Sequence, residues 1–197
     1  SYGTSYPLYG QKRQVLEGGI RVPGMIRWPG KIKPGISELP NSTMDVLPTI
    51  CEIIGAEIPA DRTIDGMSIY KHILYNQPIK RKALMYWQFE YGKNWQLHGN
   101  GYDRRFHGRE ELEQLPVFNV SIRNGNFVMR GVQEGRFKVP EKFVLYDVVN
   151  DVEENNELSA SEPELFESMK LILLRMHKEV NQDRMLTVKK IAEMEKN

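Results

Sequence analysis

The sequence predicts a chain of mixed helix and strand in which a small antiparallel sheet is covered by one long helix. Three observations predict it. Met85, Trp87, Phe89 and Tyr91 alternate with Leu84, Tyr86, Gln88 and Glu90, the period of a strand. Asn124-Gly125-Asn126 stands between two β-prone runs, the strongest short signal for a hairpin. Leu165, Met169, Ile172, Leu173, Met176 and Val180 recur at helical spacing and form one apolar face.

The elements follow in chain order. Residues 1–19 are rich in turns and end in Glu17-Gly18-Gly19, where paired glycines allow positive φ or close backbone approach. Met25–Trp28 reads as a short strand bracketed by Pro23 and Pro29, because proline cannot donate to a sheet ladder. Residues 45–54 read as a helix with Asp45 at the N-cap, Pro48 in the first turn and Gly55 at the stop. Its apolar stripe is Val46, Leu47, Ile50, Cys51 and Ile54. A short helix is expected over 68–74, after the turn at Asp65-Gly66. Beyond the strand that starts near 84 lies a polar, aromatic and irregular stretch, 92–116. The hairpin strands are expected at 117–123 and 127–130, with a further strand at 143–148. The helix at 162–181 opens with Ser161 and Glu164 as a capping-box pair and Pro163 in its first turn. A weaker tail helix is expected over 185–197.

Composition bounds the function. The chain has 197 residues, 40% of them apolar and 27% charged, which excludes a disordered acidic tail and a collagen. Lys plus Arg is 27 and Asp plus Glu is 26, so the basic excess expected of a nucleic-acid binder is missing. No apolar run reaches the ~18 residues of a membrane span. The single cysteine, Cys51, lies in an apolar helical pattern without a nearby His to activate it, and reads as a structural residue. There is no Cys-x-x-Cys, and His72, His98, His107 and His177 lack metal-ligand spacing. The first residues show neither an initiator Met nor a leader, so the chain reads as a segment of a longer protein.

No complete active site is visible in the residues alone. Gly-x-Ser-x-Gly, His-Glu-x-x-His, the P-loop and Gly-x-Gly-x-x-Gly are all absent. The carboxylate pairs Glu110-Glu111 and Glu153-Glu154 read as solvated faces. Lys12-Arg13 before Glu17-Gly18-Gly19 places a cation beside a glycine turn, a setting that can meet an anion.

The run Pro7-Leu8-Tyr9-Gly10-Gln11-Lys12, four residues, then Glu17-Gly18-Gly19-Ile20-Arg21-Val22-Pro23 resembles a sulfatase signature, P-L-x-G-x-K-x4-E-G-G-x-R-x-P. Trp28-Pro29-Gly30, Ser42, Asp45, Pro48-Thr49 and Ile64-Asp65-Gly66-Met67-Ser68 continue it in order. Ser121-Ile122-Arg123-Asn124-Gly125-Asn126-Phe127-Val128-Met129 is similar to that family's A-V-R-x-G-x-W-K-L hairpin, and Leu145-Tyr146-Asp147-Val148 with Asn156-Glu157-Leu158 to its L-Y-D-L and N-L stretch. The chain therefore resembles the C-terminal portion of a formylglycine-dependent, arylsulfatase-like sulfatase of the alkaline phosphatase superfamily.

The resemblance implies an α/β fold: residues 1–80 as the end of an alkaline-phosphatase-like main domain, and 81–197 as a C-terminal subdomain with an antiparallel sheet and long helix. It implies a sulfuric ester hydrolase, cleaving sulfate from a sulfated carbohydrate or small molecule. It implies a formylglycine nucleophile made from C/S-x-P-x-R, a motif this sequence lacks, since Cys51 is followed by Glu52-Ile53-Ile54. It also implies calcium held by upstream Asp and Asn side chains, with no metal ligand in this chain. The chain would then be inactive alone and would need the preceding part of the main domain. Lys12 takes the position of the sulfate-binding lysine, while Glu17 and Arg21 fix its loop. Trp95, His98, Arg104 and Arg105, in the loop 94–107, have the composition of a saccharide subsite. Periplasmic location or export follows from the same resemblance. The alternatives are a related phosphonate or phosphate ester hydrolase and a non-catalytic glycan-binding module.

Overall fold

A computed structural model describes residues 5–10, 12, 14–81, 84–89, 119–133 and 138–194, without the side chains of 189, 190 and 192. The loop 94–107 lies outside the described residues. The chain forms two compact units. One holds residues 1–22 and 86–197, and the other holds 23–85.

In the first unit, α1 is Glu17–Ile20, and the strands are β1 Met85–Gln88, whose first residue closes the second unit, β2 Val120–Asn124, β3 Phe127–Val132 and β4 Glu141–Asp147. The sheet order is β1-β2-β3-β4. β2 and β3 pair antiparallel with Asn124 opposite Phe127, so the connection is the two residues Gly125-Asn126. Gly125 has φ +59°, the positive value that a primed hairpin turn requires of its first central residue. β3 and β4 are also antiparallel, with a register shift between Arg130 and Val132. Gly131 sits at that irregularity, and a Cβ there would press on the Phe143 ring.

Both faces of this sheet are covered, which explains the unbroken burial of β3 from Val128 to Gly131. Successive side chains point to opposite faces. Ile122, Met129 and Leu145 share one cross-strand row, while Ser121, Arg130 and Val144 share the next. The final helix, α4, Pro163–Met194, packs on β3 and β4. Val15 and Leu16 form a separate core with Tyr9, Trp87, Val132 and Val144.

The helix departs from expectation in two ways. It runs unbroken to Met194, so the separate tail helix is corrected: Asn181–Arg184 carries no Gly or Pro to stop the first one. Its buried line is Met169, Leu173, His177 and Asn181, whereas Val180 is exposed. The polar members are accommodated by bonds. His177 Nε2 meets the Lys138 carbonyl at 3.0 Å, and the Tyr86 hydroxyl donates to His177 Nδ1 at 2.9 Å.

The second unit contains a 3-10 turn, Thr43–Asp45, then α2, Val46–Ile54, and α3, Tyr70–Tyr75. Gly55 closes α2 with φ +69°, the expected left-handed stop. Asp45 does not cap α2 through its side chain. It accepts from the main-chain N–H of Ser42 at 2.8 Å and of Met67 at 2.9 Å, and pairs with Arg81. Burial works against its charge, but Arg81 and these two N–H groups outweigh it and hold the carboxyl below its usual range. Thr49 Oγ1 donates to the Asp45 carbonyl at 2.6 Å and accepts from Ile69 N–H at 3.0 Å. These bonds turn Pro48, Thr49 and Cys51 inward, and leave Val46, Leu47, Ile50 and Ile54 of the expected apolar stripe exposed. Met25–Trp28, expected as a strand, pairs with no strand among the described residues, and Met25 is 93% exposed within this chain.

Candidate functional site

The run from Ser5 to Gly18 closes on itself. Leu8 N–H donates to the Ser5 carbonyl at 2.8 Å, and Gly18 N–H donates to the Tyr9 carbonyl at 2.7 Å. Ser5 Oγ donates to the Gly18 carbonyl at 3.1 Å. Two glycines make this closure possible. Gly10 takes φ +85°, and a side chain there would strike Leu16. A Cβ on Gly18 would fall on the Gly10 carbonyl, which is backbone and cannot rotate away. Lys12 lies in the turn of this loop and is exposed. Its partner in the sequence pattern, Arg13, is outside the described residues.

The base of the loop is held by buried charge. Glu17 is 1% exposed. Arg123 Nη1 donates to Glu17 Oε2 at 3.0 Å, and Arg130 Nη2 lies 3.9 Å from Oε1. Arg21, half exposed, lies 3.8 Å from Oε2. Among the described residues Glu17 Oε1 has no hydrogen-bond partner, and the charge that faces it is that of Arg130.

Arg130 projects from β3 with no exposed surface. Nε donates to the Val15 carbonyl at 3.3 Å, Nη2 donates to Glu154 Oε1 at 2.9 Å, and Nη1 pairs with Glu154 Oε2. Burial pushes the Glu154 carboxyl up to about 7, against the opposing pull of Arg130. Reading Glu153-Glu154 as a solvated pair is therefore corrected for Glu154, which is 6% exposed and locked to Arg130. Sequence reasoning missed both residues. The available signal was a charged residue inside an apolar strand, which must find a counter-charge if that strand is buried.

The remaining expectations fall elsewhere. Trp95, His98, Arg104 and Arg105 are outside the described residues. Cys51 is free and buried in α2. Among the described residues, no group of three or more His, Cys, Asp or Glu side chains could hold a metal ion, and no helix is long and apolar enough to cross a membrane.

Residues 6–101 match the family described as N-sulphoglucosamine sulphohydrolase, C-terminal. The chain is similar to rat (Rattus norvegicus) steryl-sulfatase, 51% identical over 75 residues, covering 37% of this chain and 13% of that protein. It is similar to human (Homo sapiens) arylsulfatase D, 54% identical over 55 residues, 27% of this chain and 9% of that protein. With pig (Sus scrofa) N-acetylgalactosamine-6-sulfatase it shares 34% identity over 85 residues, 43% of this chain and 16% of that protein. It thus spans a small fraction of the length of these relatives. Among solved structures, the fold is shared with Ps i-CgsB, at TM-score 0.63 and 20% identity, over 90% of this chain and 32% of that one. It is shared too with a protein solved in work on glycosaminoglycan metabolism by Bacteroides thetaiotaomicron, at TM-score 0.58 and 18% identity, over 87% of this chain and 31% of that one.

Proposed function

We propose, from the premise that this chain is a C-terminal portion of a sulfatase of the alkaline phosphatase superfamily, that it supplies Lys12 to the sulfuryl site of a sulfuric ester hydrolase. The observation that carries this reading is the fold of the Lys12 run. The loop is closed by main-chain bonds, its base is buried, and its one described cation faces outward.

The chemistry of Lys12 is electrostatic. Its ammonium would contact a sulfate oxygen and the bridging ester oxygen. Negative charge grows on the bridging oxygen as the S–O bond breaks, and a fixed cation lowers that barrier. A closed loop suits the task because the charge must already be in place when the bond breaks. Glu17 and Arg21 orient the loop and stay clear of the reacting atoms. The formylglycine nucleophile and a calcium ion belong to other parts of the intact enzyme, where calcium would balance the sulfate charge. Trp95, His98, Arg104 and Arg105 would meet the sugar or its flanking anions, which makes a sulfated saccharide the substrate class. The pig relative's name, a sulfatase of N-acetylgalactosamine-6-sulfate, supports that class. Export or a periplasmic site accords with such a substrate.

The test is Lys12→Ala in the intact enzyme, read by sulfate release. Loss of one such contact should lower kcat by roughly 10²-fold with the fold retained. A variant that turns over at the wild-type rate would make Lys12 a surface lysine and end the reading.

A further inference from the structure

We infer that Arg123 and Arg130, on the β2–β3 hairpin, are positioning residues that set the place of the Lys12 loop; this rests on the reading of Lys12 given above. Arg130 grips the loop twice. Its Nε holds the Val15 carbonyl, and its Nη2 faces Glu17 across 3.9 Å. Arg123 holds the other Glu17 oxygen at 3.0 Å. Lys12 lies three residues before Val15 and five before Glu17, so the tether points and the cation share one short stretch of chain.

The arginines are themselves fixed. Arg123 Nε donates to the Gly125 carbonyl at 2.9 Å, at the hairpin turn. Arg130 is anchored by the forked pair with Glu154, a residue of the segment after β4, and its guanidinium carbon lies 5.9 Å from the Tyr146 ring centre. A planar fork holds two acceptors in fixed directions, which a lysine cannot do. Displacing a catalytic group by about 1 Å can cost a reaction 10²-fold. The sheet therefore acts at a distance on sulfate ester cleavage, through main-chain position, without touching substrate.

The test is a double-mutant cycle in the intact enzyme, joining Arg123→Gln with Lys12→Ala and reading kcat on a small aryl sulfate together with the melting temperature. If Arg123 acts through Lys12, Arg123→Gln should lower kcat on the order of 10-fold alone and less than about 2-fold once Lys12 is gone. Its effect on melting should be the same in both backgrounds. Arg123→Lys, which keeps charge without the fork, is the second variant if Arg123→Gln does not accumulate, and it should show the same dependence on Lys12. A similar fall in kcat in both backgrounds, or none in either, would overturn the positioning role. Full activity of Lys12→Ala alone would instead overturn the Lys12 reading, and the positioning role with it.

Discussion

Gly18→Ala in the intact protein is the most direct perturbation of the loop. The Cβ would fall on the Gly10 carbonyl and would also lie 2.9 Å from the Ser5 Cβ. Neither obstacle is the end of a flexible side chain, so main chain must move. Overpacking of this kind costs about 1–3 kcal/mol. The movement also breaks the 2.7 Å bond from Gly18 N–H to the Tyr9 carbonyl, worth about 0.5–1.5 kcal/mol. Two other glycines calibrate the result. Gly55 has open space but φ +69°, so alanine there carries only backbone strain of about 1 kcal/mol. Gly24 has open space within this chain and no positive φ, so alanine there disturbs none of the contacts described and should be the mildest of the three. Thermal melts should rank the three variants Gly24, Gly55, Gly18, from mildest to most damaging. Turnover of an aryl sulfate should fall for Gly18→Ala alone, by 10-fold or more if Lys12 moves with the loop. A Gly18→Ala enzyme as stable and active as Gly24→Ala would show that the loop is not closed at this point.

In the intact protein, Leu173→Ala empties a fully buried site under the sheet and should cost about 2–5 kcal/mol, whereas Leu171→Ala, at 67% exposure, should stay within about 0.5 kcal/mol by urea titration; equal losses would mean that the wrong face of α4 was assigned. Burial holds the His177 imidazole below its ordinary value of 6.5, although its bond to the Lys138 carbonyl pulls the other way. The unfolded chain therefore takes up the proton first, and the stability of the α4–β1 contact should fall as pH drops below about 6.5. His177→Gln should flatten that slope in hydrogen exchange of α4 amides; an unchanged slope would assign the effect to another group.

What was legible in the sequence was whatever a local rule decides. Gly55 stops α2 because a left-handed stop selects glycine, and Gly125 turns the hairpin for a related reason. Met169 and Leu173 are buried because helical spacing puts them on one face. The failures share a cause, which is that burial depends on distant partners. Val46 and Ile50 read as core, and within this chain α2 buries its other side, where Asp45 and Thr49 hydrogen-bond to residues 67–69; what covers Val46 and Ile50 is not set by residues of this chain. Glu154 read as solvated because its neighbour is acidic, yet Arg130, 24 positions away, takes it inside. For the proposed site, the motif singled out the run in which Gly10 and Gly18 prove to be closely packed. The arginines that tie the loop to the sheet are 106 to 115 positions from the groups they hold, beyond the reach of any spacing rule.

The chemistry of the tether is itself informative. Taking a carboxylate or guanidinium out of water costs several kcal/mol per ion, and attraction between the ions returns that cost only when the geometry is good. Glu17, Arg130 and Glu154 are all nearly inaccessible, and Glu17 Oε1 has no hydrogen-bond partner among the described residues. An apolar set of the same volume would hold the loop base to the sheet at no loss of stability. It would not hold it in one place, because dispersion contacts tolerate sliding and repacking, whereas a fork on a carboxylate and an N–H on a carbonyl fix direction and register. What the ionic cluster supplies is therefore position. That Lys12, the described cation on the loop, is the group so aimed is the proposal that the double-mutant cycle tests.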